Sequence, residues 1–229
     1  MAYKIHESNP SAKLKINLKG LAIGNGYSDP INQLEYGDYL YQVGLVDSNI
    51  RDQMKKLEQQ GIAMIQNKEY EKAARFFDSL MDGDFLPNGS FFKNVTGFNN
   101  YLNFLYPEDT LGPTVRLIGK YVQRNDIRAA MHVGNATFHT DLTVEEKLLA
   151  DSVQSVAPLI SELLSHYKVL IYNGQLDIIC AYPLTVNYLQ KLNFSASEEY
   201  KTAQRFQWNV SEDIAGYVKQ AGNLTEILV

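Results

Sequence analysis

Two short apolar runs, separated by a long stretch of helical sequence, limit the folds open to this chain. The first run, residues 16–23, ends at a Gly-Asn-Gly turn, and the second, residues 169–173, ends at Gly174. Short apolar runs that stop at glycine are typical of buried strands. The chain order is therefore strand, many helices, strand, helix and strand. That order predicts an α/β fold with a mostly helical insertion, and a long insertion commonly covers a site.

Local signals predict several element boundaries within this order. Asp47 is placed to cap the long helix that follows it, and Gly83 is placed to end a later amphipathic helix. The Asn-, Gly- and Pro-rich stretch 84–113 is predicted to be a loop. A helix is predicted over residues 183–192, because proline is tolerated at a first helical position. The last segment predicts a hairpin whose final strand covers residues 224–229.

Asp177 follows the second apolar run closely, and it is the first candidate for chemistry. In α/β hydrolases the acid of the catalytic triad lies in a loop just after a parallel strand, where it orients the histidine. The stretch VLIYNGQLD has this arrangement. A carboxylate in a solvated turn is the alternative, and from the residues alone it is the simpler interpretation.

Cys180 is the only cysteine in the chain. It is either a buried inert thiol or a nucleophile, which would need a nearby base. No histidine lies close to it in sequence. His132 is expected to pack in a core, whereas His6, His139 and His166 are expected to be exposed.

Composition and motifs exclude several classes of function. A net charge of −5 without a basic block argues against nucleic acid. No apolar run reaches the length of a membrane span. The chain has no Gly-x-Ser-x-Gly, His-Glu-x-x-His or Cys-x-x-Cys motif, and its Gly-Asn-Gly turn lacks dinucleotide-binding spacing. We therefore expect no metal and no cofactor.

N-glycosylation motifs indicate a secretory route. Six acceptor patterns are present where chance predicts roughly two; they begin at Asn88, Asn94, Asn135, Asn193, Asn209 and Asn223. The first residues, MAYKIHESNP, cannot serve as a signal peptide because they lack an apolar segment. These observations together predict a secreted or lysosomal protein of which this chain is a fragment, with the signal peptide upstream.

Taken together, several segments resemble the serine carboxypeptidase family, most closely its vitellogenic-like branch. They are LKGLAIGNGYSDP, NVTGFNNYLNFL, IRAAMHVGNATF, DSVQSVAP, VLIYNGQLDIIC and AGYVKQAGNLTEILV, in the family's order and across nearly the whole chain. The resemblance implies a partial α/β-hydrolase fold with a helical cap. On this basis residues 1–30 and 151–229 are expected to form core segments, and residues 31–150 the cap insertion and return.

The resemblance also implies roles for individual residues. Asp177 matches the triad acid in the family's Gly-x-x-Asp motif, and Cys180 matches a free cysteine that lines the substrate pocket. The implied activity is removal of the C-terminal residue from peptide substrates, without a cofactor. The family's cap disulfides have no counterpart, because the corresponding region contains no cysteine.

The other two triad members are expected outside this chain. The family's serine lies in a Gly-Glu-Ser-Tyr-Ala-Gly motif that would precede Met1, and its histidine lies in a Gly-His-x-x-Pro segment that would follow Val229. The chain alone is therefore expected to be inactive. The alternatives are a catalytically dead homologue that binds through its aromatic cap and a cysteine-dependent hydrolase.

Overall fold

The computed structural model describes residues 1–108, 112–139 and 141–229. Within them a five-stranded mixed sheet has the order β1-β2-β5-β4-β3. The strands are β1 (Gly20–Gly24), β2 (Lys168–Asn173), β3 (Phe206–Val210), β4 (Asp213–Ala221) and β5 (Leu224–Leu228). The β1–β2 and β2–β5 pairs are parallel, whereas β4 runs antiparallel to β5 and β3. The predicted α/β class is confirmed.

Helices fill most of the chain outside the sheet. They are α1 (Ala2–Ser8), α2 (Pro30–Gln33), α3 (Tyr36–Gln42), α4 (Ser48–Gln66), α5 (Tyr70–Phe77), α6 (Phe91–Thr96), α7 (Gly112–Val122), α8 (Asn125–Met131), α9 (Thr143–Ser152), α10 (Ala157–Leu164), α11 (Tyr182–Leu189) and α12 (Ser197–Thr202). A π-helical turn, Asp78–Asp82, extends α5. In the described part of the chain, no helix combines the length and apolarity that crossing a membrane requires.

Several local predictions are confirmed. The Asp47 side chain accepts a hydrogen bond from the Ile50 N–H and caps α4. Gly83 ends the π-helical turn in the left-handed conformation, with φ of 66°. The predicted hairpin is formed by β4 and β5. Each of these signals depends on residues that are neighbours in the chain, which is why the sequence alone indicates them.

Three element predictions are wrong. The first strand begins at Gly20, where pairing with β2 begins, and not at residue 16; among the described residues no strand pairs with residues 16–19. The predicted loop 84–113 contains α6, whose start is capped by the Ser90 hydroxyl accepting from the Lys93 N–H. The helix predicted over residues 183–192 is α11, which begins at Tyr182 and ends at Leu189.

The sheet packs its covered face against α10, α11 and α12. Val169 and Ile171 of β2 contact this core, together with Tyr188 of α11 and Tyr200 of α12. Burial of this apolar surface is the main force that fixes the helices on the sheet. Glu226 of β5 is also buried there, and its carboxylate accepts hydrogen bonds from the Tyr182 and Tyr200 hydroxyls.

The helices between β1 and β2 form a second apolar core that reaches the end of β2. Tyr36 and Leu40 of α3 and Met54 of α4 pack in one cluster with Ile178 and Ala181, which follow β2. The helical region is therefore packed directly against the loop that carries Asp177. The predicted division at residues 30 and 150 into core and cap stays a prediction.

Candidate active site

The candidate site lies in the loop after β2, residues 174–181, here called the acid loop. β2 is flanked by two parallel strands, so the carboxyl ends of β1, β2 and β5 lie at one edge of the sheet. Asp177 lies beyond that edge and is 5 % exposed. The interpretation of Asp177 as a solvated turn carboxylate is therefore wrong. A buried carboxylate needs hydrogen-bond donors, because desolvating an unpaired charge is costly.

Asn25 supplies one of those donors. Its side-chain amide donates to Oδ2 of Asp177, and the Cys180 N–H donates to Oδ1 at 3.1 Å. Asn25 directly follows β1, with φ of 46°, and its own N–H donates to the Tyr172 carbonyl at 2.9 Å. The left-handed backbone is a conformation that Asn tolerates better than most residues. The Gly-Asn-Gly stretch therefore does more than reverse the chain after β1.

Burial and hydrogen bonding shift the pKa of the Asp177 carboxyl in opposite directions. Burial is the largest effect and raises the pKa of this carboxyl, while the hydrogen bonds from Asn25 and the Cys180 N–H, with the nearby Ile179 N–H, lower it; the net pKa lies above the ordinary value. The hydrogen bonds from Asn25 and the Cys180 N–H favour the ionised form in this buried position. An ionised, fixed carboxylate is the species that can orient a histidine and stabilise its protonated form.

The acid loop is held by aromatic residues from the helical region. The Tyr39 hydroxyl donates to the carbonyl of Asp177 at 2.9 Å, and the Tyr36 hydroxyl donates to the carbonyl of Ile179 at 2.6 Å. The carbonyl of Tyr101 accepts from the Ile179 N–H at 2.9 Å. Burial is the larger effect and the negative charge of Asp177 the smaller, and together they raise the pKa of Tyr39 to about 12. The Tyr39 hydroxyl therefore keeps the proton that it donates.

Cys180 lies in the same loop, next to the carboxylate, and it is buried. Burial, with the negative charge of Asp177, raises the pKa of the Cys180 thiol to about 12. The thiolate is the nucleophilic form of cysteine. The environment therefore disfavours the form of Cys180 that a cysteine-dependent hydrolase would require.

The histidines of this chain lie elsewhere. His132 is exposed at the left-handed end of α8, so the expectation of a core position is wrong. His139 is exposed, and its Nδ1 lies 3.8 Å from Oδ2 of Asp141. His166 is exposed as expected, whereas His6 is half-buried because its ring stacks on that of His166. Among the described residues, no histidine hydrogen bonds to Asp177.

The six glycosylation motifs differ in accessibility. Asn223 is the exception, because it is half-buried in the β4–β5 turn and its Nδ2 donates to the Leu164 carbonyl at 2.9 Å. The five exposed acceptors are Asn88, Asn94, Asn135, Asn193 and Asn209.

Sequence reasoning missed Asn25, Tyr36 and Tyr39 as parts of the site. The signal for Asn25 was its position in the turn directly after the first predicted strand, as Asp177 follows the second. Tyr36 and Tyr39 carried no signal, since aromatic residues in a helical stretch most often pack in a core.

Comparison with known protein families gives a match over the whole chain. The serine carboxypeptidase family matches residues 1–229. The venom serine carboxypeptidase of Apis mellifera is 51 % identical over 230 residues, covering 100 % of this chain and 49 % of the relative. The vitellogenic carboxypeptidase of Aedes aegypti is 45 % identical, covering 99 % and 48 %. The probable serine carboxypeptidase CPVL of Homo sapiens is 41 % identical, covering 100 % and 48 %.

A solved structure gives the corresponding fold comparison. Kex1(delta)p, a prohormone-processing carboxypeptidase from Saccharomyces cerevisiae, matches with a TM-score of 0.73 over 100 % of this chain and 53 % of that chain. At 22 % identity this likeness shows the fold alone. The chain spans about half the length of the curated relatives it matches.

Parallel strands with an acid at their carboxyl edge, under packed helices, define part of an α/β-hydrolase fold. Within that class, the chain belongs to the serine carboxypeptidase family.

Proposed function

We propose that this chain is part of a serine-type carboxypeptidase and that Asp177 is the acid of its catalytic triad. The observation that carries the proposal is the burial of Asp177, with donors from Asn25 and the Cys180 N–H, at the carboxyl edge of parallel strands in a chain of this family. The substrates would be peptides, cleaved at their C-terminal residue.

The position of β5 supports the same assignment. Leu228 pairs with Asn173, and the Gln175 N–H donates to the Val229 carbonyl at 2.8 Å. The carboxyl end of β5 therefore lies beside the acid loop. A histidine in a segment directly after this strand, where the family resemblance expects it, would be brought close to Asp177.

Residues 1–229 would be inactive by themselves. They contain no Gly-x-Ser-x-Gly motif, and an aspartate can neither attack a peptide nor transfer its proton alone. A fluorophosphonate probe, which labels activated serines, is expected to leave this chain unmodified and to label a protein that joins it to the other half of the family fold. Labelling of residues 1–229 would contradict the proposal.

The role of Asp177 is tested in that longer protein. Asp177→Asn should lower kcat/KM for a peptide substrate on the order of 10⁴-fold, because the histidine loses the charge that orients and stabilises it. The matched control is Glu58→Gln, which also neutralises a buried carboxylate but does so in α4. Similar activity losses in both variants would refute a specific role for Asp177.

Asn25 is proposed as a positioning residue for that acid. Asn25→Ala removes a donor that favours the ionised carboxylate, so the pKa of Asp177 should rise further. The acidic limb of the kcat/KM–pH profile is then expected to move to higher pH. A uniform loss of activity with an unchanged profile would assign Asn25 a purely structural role.

We also propose a secreted or lysosomal location, supported by the five exposed glycosylation motifs and by the names of the venom and vitellogenic relatives.

The high pKa of the Cys180 thiol argues against a cysteine-dependent hydrolase, the first alternative function. Cys180→Ala should keep activity, whereas a cysteine nucleophile would lose it. A catalytically dead binding homologue remains the alternative, and hydrolysis by the longer protein would exclude it.

A further inference from the structure

Two histidines that are 160 positions apart in sequence lie side by side on the surface. His6 belongs to α1, and His166 follows the end of α10; their ring centroids are 4.2 Å apart and the rings are tilted by 28°. Glu162 lies one helical turn before His166, with its Oε1 3.2 Å from the Nε2 of His166. One ligand atom from each of the three side chains lies within 4.8 Å of the others.

We propose that His6, Glu162 and His166 form a binding site for a divalent transition metal ion, with Zn²⁺ as the reference ion. Two imidazole nitrogens and one carboxylate oxygen are donors that Zn²⁺ accepts, whereas Mg²⁺ and Ca²⁺ prefer oxygen ligands throughout. Ligands at ~2.0–2.1 Å from a tetrahedral Zn²⁺ lie roughly 3.3 Å apart. The Glu162–His166 separation already matches this spacing, so His6 makes the remaining adjustment.

The surroundings of His6 favour coordination through one ring nitrogen. Its Nδ1 lies 3.1 Å from the Tyr167 hydroxyl, and the Tyr167 ring meets the His6 ring edge-on at 5.5 Å. Histidines that bind metals usually hydrogen bond through their second nitrogen, which fixes the ring. Tyr167 therefore has the position of an outer partner that leaves Nε2 of His6 for the ion.

The ion would act as a cross-link. Within residues 1–229, α1 contributes no buried residue. Ligands from α1 and from the end of α10 would tie this helix to the segment that enters β2. Three protein ligands leave a fourth position for water, as in open zinc sites.

Calorimetric titration of the untagged, chelator-treated protein with Zn²⁺ tests the proposal. One ion per chain is expected to bind. His6→Ala or His166→Ala should each weaken binding by roughly 100-fold, and Tyr167→Phe by roughly 10-fold, as loss of an outer partner typically does. Absence of Zn²⁺ binding to the wild type, or unchanged affinity in the variant lacking both histidines, would overturn it.

Two surface histidines outside the cluster provide matched controls. His139→Ala and His132→Asn should leave Zn²⁺ affinity unchanged; asparagine is chosen because residue 132 has φ of 57°. Equal weakening by a control variant would refute the site. Melting temperatures in chelator should agree between His166→Ala and the wild type, which separates lost coordination from lost folding. Zn²⁺ should also slow hydrogen exchange of the α1 amides in the wild type but not in His166→Ala.

Discussion

Glu58 allows a stability prediction whose sign depends on pH. The residue lies in α4, is 3 % exposed, and accepts a hydrogen bond from the Gly37 N–H at 2.7 Å. Burial is the largest effect on its carboxyl and raises the pKa from 4.5 to about 7, against the opposing effect of the Gly37 hydrogen bond. Glu58→Gln would keep an oxygen for Gly37 and remove the charge.

The magnitude follows from linkage between protonation and folding. The pKa of Glu58 is about 7 in the folded state and 4.5 in the unfolded chain. The protonated side chain therefore contributes stability that is fully present below pH 4.5 and is lost as the pH rises through 7. At about 1.4 kcal/mol per pH unit, the complete loss is about 3 kcal/mol. Glu58→Gln should therefore raise the free energy of unfolding by about 3 kcal/mol near pH 8, but only by about 1 kcal/mol near pH 5.

Urea unfolding followed by tyrosine and tryptophan fluorescence, at both pH values, measures this difference. The control is Glu71→Gln, which removes a carboxylate that is exposed and paired with Arg75 on α5. It should change the free energy of unfolding by less than about 1 kcal/mol at either pH. A stabilisation by Glu58→Gln that is equal at both pH values, or a destabilisation near pH 8, would refute the reasoning.

Two further predictions concern backbone conformation and modification. Gly83→Ala should destabilise the fold by at least about 1 kcal/mol more than Gly97→Ala. Both glycines have positive φ, but a Cβ at residue 83 would lie 2.4 Å from the Ser90 nitrogen and one at residue 97 would meet nothing within 4 Å; equal losses in urea unfolding would contradict this. Mass spectrometry of the protein after expression through a secretory pathway should find glycans at the exposed motifs and none at Asn223, and full occupancy of Asn223 would refute the accessibility argument.

The fold was predictable where neighbouring residues decide the structure. Asp47 and Gly83 act on the helix ends beside them, so their roles could be predicted from local chemistry. Where the outcome depends on distant contacts, prediction failed. Residues 16–19 have strand-like composition but pair with no strand in the described part of this chain, and the helix after Ser90 lies in a stretch rich in turn residues.

The candidate site divides in the same way. The position of Asp177 after a buried parallel strand, and the family that it suggests, could be predicted from the sequence, because the motif is continuous in the chain. Asn25, which donates to Asp177, lies 152 positions before it in the sequence, and His6 lies 160 positions before His166. Only the parallel register of β1 and β2 and the packing of α1 near α10 bring these groups together. Burial also depends on the whole fold, so the protonation of Cys180 and the desolvation of Asp177 were decided by tertiary structure.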